Sequence, residues 1–447
     1  MKRKIIAPFL LAAALVSAVS CKKTFWTKDN KNPQAPDSVT ANLILPNVES
    51  SMGYTQGGDI SRFTSLFTQQ VVGANSQSQA YYDYIINSGV FENLWGDYYT
   101  STLTNNDTLM HLADRKGLNM YSGISRIFMA YCLQVGVDLW GDLPYSKAFQ
   151  GDRDLKPTYD KAQGLYDTVA SLVHTGIAYI ANPDRGVLVP GNDDQMYKGD
   201  SASWVYFGHA ILARLAIHQS KGNPAMAATA LQEAAMAFPS AKFNARFIFS
   251  SSETAANPWY QFEEQRNGDE TFTDAPLITR MTANNDPRVG IYTDPNTDLG
   301  AYYGSANSPV EFITYDEMQF LTAEGVLRNG GSFVAAQAFL TSAITENMTK
   351  LGVAPADIAT YLGAHGVLPT TSVDDAIAFI ANEEFTALYL SPEAWVVWRR
   401  TGSPALTPTS GGEIPRRLLY PQSEQSFNTA NTPTGVTLFG PTLFWDK

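Results

Sequence analysis

The chain is poor in cysteine, histidine, basic charge and long apolar runs. Of its 447 residues, 2 are cysteine and 5 are histidine. With Cys21 and Cys132 as its only thiols, a framework of several disulfides is excluded. Lys and Arg number 31 against 43 Asp and Glu, a formal net charge of −12. That balance opposes non-specific nucleic-acid binding, which needs a basic surface. It also supplies no polybasic patch for anionic lipid. Beyond the N-terminus no segment stays apolar for the roughly 20 residues of a spanning helix. Motifs of catalysis are missing too. None of His111, His174, His209, His218 and His365 falls in an H-E-x-x-H pattern, and there is no nucleophile elbow, P-loop, dinucleotide fingerprint or calcium loop. Cys132 sits in the apolar run from Ile127 to Val135 and reads as core. Glu263-Glu264 and Glu383-Glu384 are acidic pairs of the kind a glycosidase needs, but in an acidic chain they read first as salt bridges or solvated helix faces. No catalytic residue, metal ligand or cofactor is expected.

What is present starts at the first residue. Lys2, Arg3 and Lys4 precede an apolar run from Ile5 to Val19, broken only by Pro8 and Ser17, and then comes Ala18-Val19-Ser20-Cys21. A basic head, a short apolar stretch and small residues describe a secretory signal over residues 1–20. The Cys placed directly behind them resembles the bacterial lipoprotein signal, in which that Cys is acylated. Cys21 is therefore the expected lipidation site and the link to the membrane. Removing residues 1–20 takes Lys+Arg from 31 to 28 and no acid, so the net charge becomes −15. Residues 21–38, polar and carrying Asn30, Asn32, Pro33 and Pro36, read as a tether.

Helical periods follow. Phe91, Leu94, Trp95, Tyr98, Tyr99 and Leu103 predict a helix from Phe91 to Leu112, and further helices are expected over Ser122–Val137, from Asp160 through Val173, from Asp200 or Ser201 through Leu215, and over Ala225–Ala237, Thr314–Arg328, Phe333–Thr349 and Asp374–Tyr389. Asp160 with Gln163, and Thr314 with Glu317, have capping-box spacing. The texture is mainly α, with tetratricopeptide-like helix pairs but no strict 34-residue period. Residues 238–312 and 401–447 are rich in Asn, Asp, Pro, Thr and Gly and read as loops. Aromatic residues make up 12% of the chain, and many lie beside loop-forming residues. Tyr81, Tyr82, Tyr84, Trp259, Tyr260, Tyr302 and Tyr303 are the candidates for an aromatic binding platform.

Several blocks then stand in a telling order: Asp29 to Pro36, Trp95-Gly-Asp-Tyr-Tyr99, Val137-Asp-Leu-Trp-Gly-Asp-Leu-Pro-Tyr-Ser-Lys-Ala148, Pro157-Thr-Tyr-Asp160 and Asp194 to Asp200 with Trp204. Arg214-Leu-Ala216, Asn257-Pro-Trp-Tyr260, Asp286-Pro-Arg288, Thr314 to Glu324, Glu393-Ala-Trp395, Trp398-Arg-Arg-Thr-Gly402, Pro415-Arg416 and Tyr420-Pro421 continue it. In these blocks the chain resembles the SusD/RagB family of outer-membrane nutrient-binding lipoproteins, in its SusD-like subgroup. The resemblance implies one α-helical domain over residues 39–447, with the loop-rich segment at about 238–312 packed on tetratricopeptide-like pairs. It implies a non-enzymatic lid on a SusC-type TonB-dependent barrel transporter in the outer membrane, facing the exterior and delivering an oligosaccharide. A peptide or other polymer as ligand, a lipid-anchored glycoside hydrolase and a purely structural partner are the competing readings. The chain departs from the family at one point: Lys22 and Lys23 follow Cys21 where surface lipoproteins of these bacteria often carry acidic residues. In the Trp140 to Tyr145 block, Asp142 is suited to satisfying backbone N–H groups at a turn.

Overall fold

Apolar side chains recurring at helical spacing dominate the chain and bury themselves in pairs of helices. The computed structural model describes residues 39–182, 186, 188–295 and 298–446. Cys21, the signal segment and the tether lie outside the described residues. The main helices are α1 (Ala41–Thr55), α2 (Ser61–Phe67), α3 (Ser76–Tyr82), α4 (Thr104–Lys116), α5 (Asn119–Trp140), α6 (Ala162–Ile180), α7 (Ser201–Gln219) and α8 (Ala225–Ala234). After them come α9 (Pro258–Arg266), α10 (Pro276–Ala283), α11 (Tyr315–Arg328), α12 (Phe333–Lys350), α13 (Pro355–His365), α14 (Val373–Ala387) and α15 (Pro392–Thr401). Short strands β1 (Val72–Gly73), β2 (Ala245–Ile248), β3 (Glu270–Thr271), β4 (Thr293–Asp294), β5 (Asp298–Leu299) and β6 (Pro309–Ile313) form three antiparallel two-stranded sheets, β1–β3, β2–β6 and β4–β5. Among the described residues no helix is long and apolar enough to cross a membrane.

The fold is mainly α and tetratricopeptide-like. Sequential helices pack on each other: α4 on α5, α5 on α6, α7 on α8 and α11 on α12. Small residues set how closely they cross. A Cβ on Gly123 of α5 would meet the Gly176 carbonyl of α6 at 2.7 Å, and one on Gly176 would meet the Gly123 carbonyl at 2.9 Å. Ala210, Ala213 and Ala323 are likewise fully buried. Side-chain caps start several helices: Ser332 accepts from the Ala335 N–H, Ser372 from Asp375 and Ser391 from Glu393.

The two expected capping boxes do not form. α6 starts at Ala162, and Asp142 Oδ1 accepts its N–H at 2.9 Å. Asp160 turns back instead, accepting the N–H groups of Tyr145 at 3.0 Å and Ser146 at 2.7 Å. The Trp140–Tyr145 turn and the start of α6 thus satisfy each other's backbone, as the turn chemistry of Asp142 suggests. Thr314 stands at the start of α11 without a side-chain cap bond, because Glu317 is drawn into the core by Arg214. The helix expected from Phe91 is a succession: a 3-10 turn at Ser88–Phe91, an α segment at Glu92–Gly96, a π segment at Asp97–Leu103, and then α4. Residues 238–312 hold short helices and all strands but β1. They pack on the helical body: Phe247 closes over Gly53 of α1, and the Phe312 ring lies 5.1 Å from Tyr131 of α5. The C-terminal loops are tied down as well, with the Trp140 indole donating to the Leu419 carbonyl at 3.2 Å and the Tyr420 hydroxyl to the Asp142 carbonyl at 2.8 Å.

Charged residues cross-link the interior. Arg214 of α7 holds Glu317 of α11 at two points, 2.6 and 2.7 Å. Arg288 grips Asp286 in the same two-point manner, and the Arg399 guanidinium lies 3.7 Å over the Trp395 ring, so Asp286-Pro-Arg288 and Trp398-Arg-Arg400 are structural. Arg214→Ala would strand a buried Glu317 carboxylate, and a loss of about 3–5 kcal/mol is expected in denaturant unfolding. The paired change Arg214→Met with Glu317→Leu is expected to restore most of it; equal losses in both variants would contradict the assignment.

Candidate ligand-binding cleft

Two π segments meet at one cleft. The first, Gln56–Ile60, continues α1, and Gly58 within it has the non-helical pair φ −93°, ψ −110°. Glycine is required beside it: a Cβ on Gly57 would lie 2.2 Å from Val310 Cγ2 of β6. The second is Asp97–Leu103. The first is a kink at Gly58 where one helix gives way to the next, the second a register shift inside a helix, and irregularities of this kind are frequent at functional sites. Here they enclose an open cleft of about 320 Å³ lined by Ser51, Tyr54, Thr55, Gly58, Asp59, Leu94, Asp97 and Ser101.

The wall offers one ring, Tyr54, and the hydrogen-bonding groups of Ser51, Thr55, Asp59, Asp97 and Ser101. The Tyr54 ring packs edge-on against Phe249, centroids 4.9 Å apart. Asp97 is largely exposed, and the partial burial of its carboxyl first and the Asp59 charge second raise its pKa. Arg62 of α2 donates to Asp59 at 3.1 Å and to Glu270 at 3.3 Å, and its guanidinium stacks 3.9 Å over the Phe262 ring of α9. Tyr81 packs on Phe63, centroids 4.9 Å apart, and its hydroxyl feels both Arg62 and Asp59. One ring, two carboxylates and the hydroxyls of Ser51, Thr55 and Ser101 are groups that can hold a polyhydroxylated ligand: the Tyr54 face takes its C–H surface and the polar groups its hydroxyls.

The seven aromatic candidates do not form one platform. Tyr81 lies beside the cleft. Tyr84 is buried between Phe67 and Phe439, and Trp259 is buried with its indole donating to Ser61 at 2.9 Å, so both serve the core. Tyr82 and Tyr260 are half-buried. Tyr302 donates to Glu311 at 3.3 Å, and Tyr303 packs among Tyr292, Tyr302 and Tyr389. Trp259 and Tyr303 do share an internal cavity, but at about 50 Å³ it is too small for a sugar. Sequence reasoning missed Tyr54, Asp59, Asp97 and Ser101. The available signal was Gly57-Gly58-Asp59, a break in an otherwise helical stretch.

One set of possible metal ligands converges among the described residues: Asp138, His218 and Glu393, buried, with ligand atoms within 4.8 Å of one another. Both His218 nitrogens already have protein partners, Glu393 at 2.8 Å and the Tyr166 hydroxyl at 3.0 Å. The cluster reads as a structural junction of α5, α6, α7 and α15.

Fold and cleft together define the class: a tetratricopeptide-like helical protein with a polar cleft that carries one tyrosine ring. The SusD-like family model, described as starch-binding and associating with the outer membrane, matches residues 33–307 and 300–421. The protein belongs to that family. A SusD/RagB family protein from Bacteroides thetaiotaomicron is similar in structure, with a TM-score of 0.73 at 22% identity over 92% of this chain and 99% of that one. A chitin-binding protein gives 0.76 at 22% identity, over 91% of this chain and all of its own. A Bacteroidetes SusD-like protein gives 0.77 at 17%, over 92% and 100%. At these identities the likeness is one of fold. No curated protein matches the chain.

Glu263, on α9 behind Arg62, gives a test by pH. Burial, then the charges of Glu270 and Asp298, push its pKa up to about 8. The folded state thus holds a proton that the unfolded chain releases near pH 4.3. Its stabilising contribution is complete below that pH and is lost as pH rises through 8. The Glu263→Gln variant is expected to gain on the wild type in thermal midpoint between pH 5 and 9; a pH-independent difference would contradict the burial assignment.

Proposed function

We propose that the protein is a lipid-anchored nutrient-binding subunit that captures an oligosaccharide in the cleft of the two π segments. The observation that carries this is the convergence of Tyr54, Asp59, Asp97 and Ser101 on one sugar-sized concavity. The family description, which speaks of starch binding at the outer membrane, supports a glycan ligand, and the chitin-binding structural relative points the same way. In this reading Cys21 carries the lipid, residues 21–38 are the tether, and residues 39–447 act as a lid on a SusC-type TonB-dependent barrel transporter at the outer face of the membrane. Tyr81 belongs to the rim, with the half-buried Tyr82, Tyr260, Tyr302 and Tyr303 as more distant candidates. In this reading the protein binds and releases without catalysis, with Asp59, held by Arg62, and Asp97 as hydrogen-bond acceptors.

Calorimetric titration with a malto-oligosaccharide and a chito-oligosaccharide tests this. At least one is expected to bind, and Tyr54→Ala and Asp59→Asn should each weaken it roughly tenfold, the effect of losing one ring contact or one charge-assisted bond. Tyr84→Phe, in the core between Phe67 and Phe439, should leave it unchanged. Wild-type affinity in both cleft variants would contradict the proposal.

A further inference from the structure

A second cleft, also of about 320 Å³, lies between α10, α13 and α14 and shares no lining residue with the first. Its wall includes Arg280, Asn284, His365, Phe379 and Asn382. Its charges are unevenly matched. Arg288 holds Asp286 through Nε at 2.9 Å and Nη2 at 2.7 Å and also reaches Glu383 Oε2 at 3.3 Å. The Tyr361 hydroxyl donates to Glu383 Oε1 at 2.9 Å. Both carboxylates of the cleft are therefore engaged from its floor. Among the described residues Arg280 is left without a carboxylate in contact. Its side-chain hydrogen bond runs from Nη2 to Thr386 Oγ1 at 3.2 Å, and its guanidinium carbon lies 5.7 Å from the Phe385 ring centroid.

A guanidinium drawn out of water with no anion in contact is unfavourable, and burial lowers the pKa of Arg280 against the opposing charges of Glu383 and, more weakly, Asp286. Its planar fork of N–H donors matches a carboxylate at two points. The rest of the wall suits a sugar. Asn382 Nδ2 is directed to the Ala378 carbonyl at 2.7 Å, which leaves its Oδ1 to accept from a hydroxyl. Asn284 adds a second amide, and the rings of His365 and Phe379 supply apolar faces. A zwitterionic amino acid fits less well, since Asp286 and Glu383 are already held and no free carboxylate remains for its ammonium group.

We propose that this cleft is a second binding site, for a carboxylate-bearing sugar residue whose carboxylate pairs with Arg280. The site stands independently of the cleft at Tyr54. The test titrates the protein with D-glucuronate, D-glucose and acetate, read by calorimetry or by ligand-observed NMR. Glucuronate should bind, with glucose and acetate roughly tenfold weaker or more, because each lacks half of the recognition. Arg280→Gln should weaken glucuronate by a similar factor, added salt should weaken it further, and Tyr54→Ala should not affect it. Asn382→Asp, which sets a negative charge against the ligand carboxylate, should also abolish it and decides the matter if Arg280→Gln fails to fold. No glucuronate binding at millimolar concentration, unchanged binding in either variant of this cleft, or acetate binding as tightly as glucuronate would overturn the proposal.

Discussion

Arg214 lies buried between two helices and a strand. Its guanidinium takes Glu317 at two points and donates to the Phe312 carbonyl of β6 at 2.8 Å. That contact fixes β6 against the helical body, and β6 in turn shapes the cleft. Val310 stands where a Cβ on Gly57 would fall, and Gln56 Nε2 donates to the Glu311 carbonyl at 3.0 Å. Tyr131 of α5 bonds to the Gln56 side chain from the other side. The first π segment is thus clamped between the strand and the core, and its irregular backbone persists because its surroundings leave it no regular alternative.

The same seam runs on through the core. Glu393 lies 3.5 Å from Arg214 and 2.8 Å from His218, and Arg400 pairs with Glu324, which also takes Arg328. Burying so many charges is a poor route to stability, since desolvation offsets most of the attraction. What it supplies is register: Arg214 is held by Glu317 with Glu393 nearby, and Arg400 by Glu324 of another helix, so sliding one helix past the next would strand buried charges. A repeat body held rigid in this way can present a strained, polar cleft on its surface without that cleft relaxing into a plain helix.

The helical body was legible because its periods were intact. α5, α7 and α12 lie within a few residues of their expected spans, and the ordered blocks along the chain, Val137–Ala148 the most specific among them, pointed to the family. Capping was misread because carboxylates have more than one use: Asp160 serves the preceding turn, and Arg214 takes Glu317. The cleft was illegible for a related reason. A π segment has no sequence period, and Phe91–Leu112 looks continuous whether or not an extra residue is accommodated at Asp97–Leu103. Trp259 misled in the other direction. Asn257 and Pro258 mark a helix start, and the loop-like composition hid an indole that turns inward to Ser61.

The central claim is that the two π segments form the ligand site. Hydrogen exchange of the protein with and without a bound malto- or chito-oligosaccharide tests it most directly. The account predicts added protection confined to residues 51–62 and 94–103, the stretches that line the Tyr54 cleft. Protection that leaves those stretches unchanged and appears elsewhere in the chain would contradict it.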